Sequence, residues 1–184
     1  MSGASITPYL FMSAQAPTSI LVGTQNKIVW MRVVGKGTFL CSGSLKEFTR
    51  EMINRGHREF VLDLAECPVM DSTFMGTLAG VALRLRELGQ GRLYVTNINE
   101  RNTDLLQGLG LDHLFSLNLT GLSNPDPEPE AALQAPASDE AGADTARMML
   151  EAHEALIAAD PSNLTKFKDV LEYLKQDLQQ SAPE

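Results

Sequence analysis

The chain has 184 residues, 43% of them hydrophobic and 21% charged, enough to bury one ordinary core with an appendage and too few for two full-sized domains. No apolar run approaches the roughly 20 residues that cross a bilayer, and the opening MSGASITPYLFMSAQAPTS has no basic leader, so a cytoplasmic location without membrane insertion is expected. The net charge of -8 is uneven: from Thr120 onward 13 acids face 4 bases, while residues 1–119 hold 10 acids and 11 bases, a near-neutral body without the clustered basic footprint of a nucleic-acid binder.

After a polar leader over residues 1–18, SILVGTQNKIVWMRVVG gives two β-rich runs separated by Gly23 to Asn26, which reads as an antiparallel hairpin. Gly35, Lys36 and Gly37 follow as a turn. SGSLKEFTREMINRG then places Leu45, Phe48, Met52 and Ile53 at helical spacing with Gly56 as a stop signal. EFVLDLAEC is a short, strongly apolar run of the kind that fills a central strand. STFMGTLAGVALRLRELGQG carries Met75, Leu78, Ala82 and Leu85 at spacings of three and four and stops at Gly89, so it predicts a second helix. RLYVTNIN is another strand, Asn99 is a candidate N-cap for a helix through about Leu109 ended by Gly110, and HLFSLNL closes the series as a last short strand. The order β-β-α-β-α-β-α-β predicts an α/β fold: a small mixed sheet flanked by helices, with parallel strands joined by right-handed crossovers.

The composition changes at 120–145, where Pro125, Pro127, Pro129 and Pro136 alternate with acids; this reads as an extended, self-repelling linker. Residues 146–181 then show two helical patterns broken at Asp160 and Pro161, a C-terminal helical hairpin. Its second half aligns Leu164, Phe167, Leu171 and Leu174 on one stripe, which needs cover from the first domain, a second copy or a partner.

No phosphate loop, nucleophile elbow or zinc-protease motif is present, and His57, His113 and His153 are scattered through different elements as expected surface or helix-end residues. Cys41 and Cys67 stand alone, so neither a metal site nor a disulfide framework is expected, and no cofactor is implied. The chain is expected not to be an enzyme, because no nucleophile, base and oxyanion site assemble from these residues. What remains is the MDST turn. It follows the C-terminal end of an expected parallel strand and opens a helix, which is where open α/β sheets place working residues. The first backbone N–H groups of a helix lack internal partners and favour anions. Ser72 can cap the helix there, and a phosphate on Ser72 would be tolerated by the same N–H groups.

The strand VLDL, the MDST turn with Gly76 behind it and the later LLQGLGLDHLFSLNL together resemble the STAS domain family of anti-sigma factor antagonists, over about Ser19 to Leu119. The domain is therefore taken as 19–119. The resemblance implies a bacterial regulator of transcription that works by partner switching: the unmodified protein binds an anti-sigma factor, often itself a serine kinase, and phosphorylation dissolves that complex until a phosphatase resets it. It implies Ser72 as phosphoacceptor with Thr73 as a neighbouring hydroxyl, and Asp71, Phe74, Met75 and Gly76 as motif and partner-contact positions. The family motif usually has Gly and Leu where this chain has Phe74 and Met75. Phe74 is then an apolar anchor for a different partner or an obstruction to a kinase cleft. Relatives often carry an acid in a GELD-like segment, and here the uncharged Thr38 stands near that place. Two other readings stay open: an accessory subunit of a membrane transporter, and an unphosphorylated scaffold that binds partners through its helical tail.

Overall fold

The computed structural model describes residues 18–117, 129–134 and 143–180. The opening hairpin pairs β1 (Ser19–Gln25) antiparallel with β2 (Ile28–Val34). The turn is Asn26–Lys27, not Gly23–Asn26 as expected. Both residues have positive φ, 52° and 70°, the twist-matched two-residue turn that the strands' own handedness favours. Gly23 lies inside β1, paired with Trp30.

The chain continues through α1 (Phe39–Asn54), β3 (Glu59–Glu66), α2 (Ser72–Glu87), β4 (Arg92–Thr96) and α3 (Glu100–Gly108). β3 runs parallel to both β2 and β4. The expected last strand reduces, among the described residues, to a single parallel bridge between Ser116 and Tyr94; Asn118 and Leu119 lie outside them. The fifth strand comes from the segment read as linker: β5 (Ala131–Gln134) pairs antiparallel with β1, and the sheet order is β4-β3-β2-β1-β5. β1 would otherwise present an open edge to solvent, and this short strand covers it. The architecture is the mixed α/β sheet with helices that the element order predicts.

Side-chain parity tells which face the helices cover. Ile20, Val22, Val29, Met31, Val33, Phe60, Leu62, Leu64, Leu93 and Val95 alternate along their strands and join one buried cluster with α1, α2 and α3 side chains. Trp30 and its cross-strand partner Val61 are buried outside that cluster, on the opposite face. At the C-terminal ends of the parallel strands Asp63 braces three segments of the chain: it accepts from Asn97 Nδ2 at 2.8 Å, from Ala65 N at 3.0 Å and from Arg32 Nε at 2.8 Å. Burial works to raise its pKa, but these donors outweigh it and hold the carboxyl below the usual carboxylate range.

The C-terminal helices α4 (Ala143–Ala159) and α5 (Asn163–Gln180) form a hairpin that packs on the domain in cis. Leu156, fully buried, belongs to the main cluster. The hairpin turn is clamped to the end of α3: Asn163 Nδ2 donates to Leu109 O at 2.8 Å and to Leu156 O at 2.9 Å, and Lys166 Nζ donates to Gly108 O at 2.6 Å. Gly110, at φ +63°, lets the chain pass there, since an added Cβ would lie 2.2 Å from Asp160 Oδ2.

Candidate functional site

The MDST turn is stitched to the loop after β2. Gly37 N donates to Val69 O at 3.0 Å and Asp71 N to Gly37 O at 2.9 Å. Asp71 then serves two helices at once. Its Oδ1 accepts from Phe74 N at 2.8 Å, capping α2, and its Oδ2 accepts from Phe39 N at 2.8 Å, at the start of α1. The two helix N-termini converge on one carboxylate, which both dipoles favour. Thr38, the N-cap position of α1, makes no side-chain cap bond, so the acid serving that helix end comes from the motif turn 32 residues away.

The cap of α2 is thus Asp71 and not Ser72, contrary to the expectation. Ser72 is the first residue of the helix, half-buried, and its hydroxyl is left for another partner. That partner is His153 of α4: Ser72 Oγ lies 3.1 Å from His153 Nε2. His153 Nδ1 is 2.8 Å from Met149 O, a group that only accepts, so Nδ1 carries the proton and in the neutral ring Nε2 accepts from the Ser72 hydroxyl. His153 is 4% exposed and stands edge-on to Phe167 with ring centroids 5.0 Å apart. It is not the surface or helix-end residue that its isolation in sequence suggested. The N–H groups of Ser72 and Thr73 have no hydrogen-bond partner among the described residues.

The other motif positions separate. Thr73 is buried. Phe74 has no exposed surface, and its ring lies over Gly37, where an added Cβ would come within 2.8 Å of Cδ1. Met75 is buried in the main cluster. Phe74 and Met75 therefore face inward; the aromatic is neither displayed to a partner nor standing in a cleft. Gly76 lies under α4, with no room for a side chain: an added Cβ would sit 2.2 Å from Ala152 O. Gly80, one turn on, faces Ala155, and the stripe Ser72, Gly76, Gly80 is the face of α2 on which α4 rests.

In the tail, Leu171 and Leu174 are buried, Phe167 is half-buried against His153, and Leu164 is 52% exposed. Most of the stripe is consumed by the hairpin itself. A cleft of about 400 Å³ runs beside the contact between α1, α2 and α4, with Ile53, Val81 and Met148 among its apolar walls and Lys46, Arg50 and Arg84 as its cations. Lys46 pairs with Glu151 of α4, and Arg84 with Glu87. Both cysteines are buried, and burial pushes both thiols above their ordinary pKa. Among the described residues no three acidic, histidine or cysteine side chains converge to hold a metal, and no helix is long and apolar enough to cross a membrane.

The family model of the STAS domain matches residues 19–126, a segment that ends before α4 begins. Among solved structures, the chain is similar to a Thermotoga maritima protein provisionally assigned as an anti-sigma factor antagonist, with 16% identity and a TM-score of 0.49 over 52% of this chain and 82% of that one. It is similar also to the anti-sigma factor antagonist SpoIIAA in its unphosphorylated form, with 18% identity and a TM-score of 0.43 over 48% and 81%. No curated protein sequence matches.

Proposed function

The chain belongs to the STAS domain family, and on that premise we propose that it is a regulatory protein-binding module, an anti-sigma factor antagonist that binds its anti-sigma factor unphosphorylated and is released by phosphorylation of Ser72. The observation that carries this reading is the division of labour between Asp71 and Ser72. Asp71 caps α2, so the Ser72 hydroxyl has no structural duty in its own helix and can be modified without uncapping it. The unpartnered N–H groups of Ser72 and Thr73 supply donors for the added phosphate oxygens, at the helix end where an anion is favoured. Phosphorylation then adds nearly two negative charges beside the Asp71 carboxylate, and a partner docked at this helix end has to accommodate them. Ser72 is favoured over Thr73 because Thr73 is buried. The action is one of binding, without a reaction catalysed by this chain; a serine kinase and a phosphatase supply the chemistry.

The test is incubation of the full chain with ATP and a serine kinase encoded beside it, with phosphate mapped by mass spectrometry. The expected result is a single phosphate on Ser72, lost in Ser72→Ala, and loss of anti-sigma factor binding in Ser72→Asp. Labelling elsewhere, or binding unchanged in Ser72→Asp, removes the switch.

A further inference from the structure

We propose that the Ser72, Gly76, Gly80 face of α2 is a helix-binding groove, that the α4–α5 hairpin is its intramolecular occupant, and that an external partner enters only by displacing the hairpin. The proposal rests on the reading of Ser72 as the residue that partners sense. The groove is defined by what it lacks. Gly76 and Gly80, four residues apart, leave α2 without side chains on one stripe, so a second helix can approach backbone to backbone. The matching positions on α4 are Ala152 and Ala155, equally small. At one end of the stripe the occupant supplies an acceptor to the Ser72 hydroxyl, His153 Nε2; along its flank it supplies a carboxylate, Glu151, to Lys46 of α1. Arg50 of the adjoining cleft adds positive charge to the same rim and has no ion-pair partner among the described residues, whereas Arg84 is paired with Glu87. The cis occupant thereby specifies the trans one: an amphipathic helix with small residues facing α2, an acidic flank facing α1, and a hydrogen-bond acceptor at the Ser72 end.

The contact also makes the hairpin a gate on Ser72. While α4 is docked, the hydroxyl is bonded to a buried histidine, and an enzyme that modifies Ser72 must wait for the hairpin to leave. The family match stops before α4, so this occupant lies outside the matched domain.

A reversible lock is available for the test. A Cβ at Gly80 would stand 3.7 Å from the Ala155 Cβ, within the span of a disulfide, so Gly80→Cys with Ala155→Cys can fasten α4 to α2 in the full chain. The probe is a fluorescein-labelled synthetic peptide of residues 143–160 added in trans. An opened chain, His153→Ala with Asn163→Ala, removes hairpin anchors without touching α2. The opened chain is expected to bind the peptide about tenfold or more tightly than the parent does. The oxidised lock should show no binding, and an Ala152→Leu peptide should bind none of the chains. Peptide binding by the oxidised lock as tight as by the opened chain, or an opened chain that is folded by circular dichroism yet binds no better than the parent, overturns the proposal. If the opened chain fails to fold, the locked and reduced forms of the cysteine pair decide, through the rate of hydrogen exchange in α2: locking should slow it at least tenfold, and no change counts against the gate. Peptide competition with a Ser72 that no kinase labels keeps the groove and removes the switch; labelling of Ser72 at equal rates in locked and reduced chains keeps the switch and removes the gate.

Discussion

Asp71 holds two helix starts with one carboxylate, so its loss should be felt in both α1 and α2. Asp71→Ala is expected to destabilise the fold by about 2 kcal/mol, the scale of a lost charge-assisted cap, measured as a shift in the urea midpoint at unchanged slope. Ser72→Ala, by contrast, gives up one half-buried bond to His153 and should cost less than about 1 kcal/mol. Asp63 carries a pH signature of the opposite end of the motif strand. Its pKa is depressed in the folded state, so the stability it contributes is present above the ordinary carboxylate range and fades as pH falls through the depressed value. Urea midpoints of the parent and Asp63→Asn should therefore differ at pH 7 and converge toward pH 3. Sequence could place an acid and a hydroxyl side by side at a helix start, but both are ordinary caps. The choice between them is made by Phe39 N–H, which is brought from another element. His153 was missed for the same reason, because its partner is 81 residues away.

At the level of elements, local pattern located the helices and the central strands, and non-local contacts moved their ends. α1 begins at Phe39, three residues before the expected Ser42, because its first N–H is met from the motif turn. β5 was hidden in a proline-rich, acidic stretch, since four residues carry too short an alternation to be seen and depend on the β1 edge for their pairing. The hairpin's docking left one legible trace, the pair Gly76 and Gly80 four apart inside an otherwise apolar helix; glycine there costs helix stability and so points to a close neighbour. Gly76→Ala tests that reading. An alanine would gain helix propensity in an isolated α2, yet here its Cβ meets the Ala152 carbonyl. The expected net effect is a loss of about 1–3 kcal/mol, with faster hydrogen exchange concentrated in α4 and α5.

For the whole molecule, the hairpin is part of the structural core as well as a cover. Leu156 reaches the main cluster and Asn163, fully buried, ties the hairpin turn to the end of α3. Leu156→Ala should cost about 2–5 kcal/mol. If the appended helices and the matched domain melt as one unit, that loss will appear as a single displaced transition in calorimetry rather than as a new early one. The charge asymmetry read from sequence takes on structural meaning at the same scale: the acidic C-terminal third contributes Glu151 and Glu154, and the cations they meet are Lys46 on the domain and Lys175 within the hairpin.

The pairing of β5 with β1 has a further consequence. β5 ends at Gln134 and α4 begins at Ala143, nine residues on, which limits the separation of those two points to about 30 Å. With the strand still zipped to the sheet, a released hairpin remains tethered beside its groove at a local concentration in the millimolar range. A partner present at micromolar concentration then has to out-bind α4 by about a thousandfold to hold half of the molecules open. The length of one short tether thus sets a threshold for response, and shortening or lengthening it would retune that threshold without altering any residue of the groove.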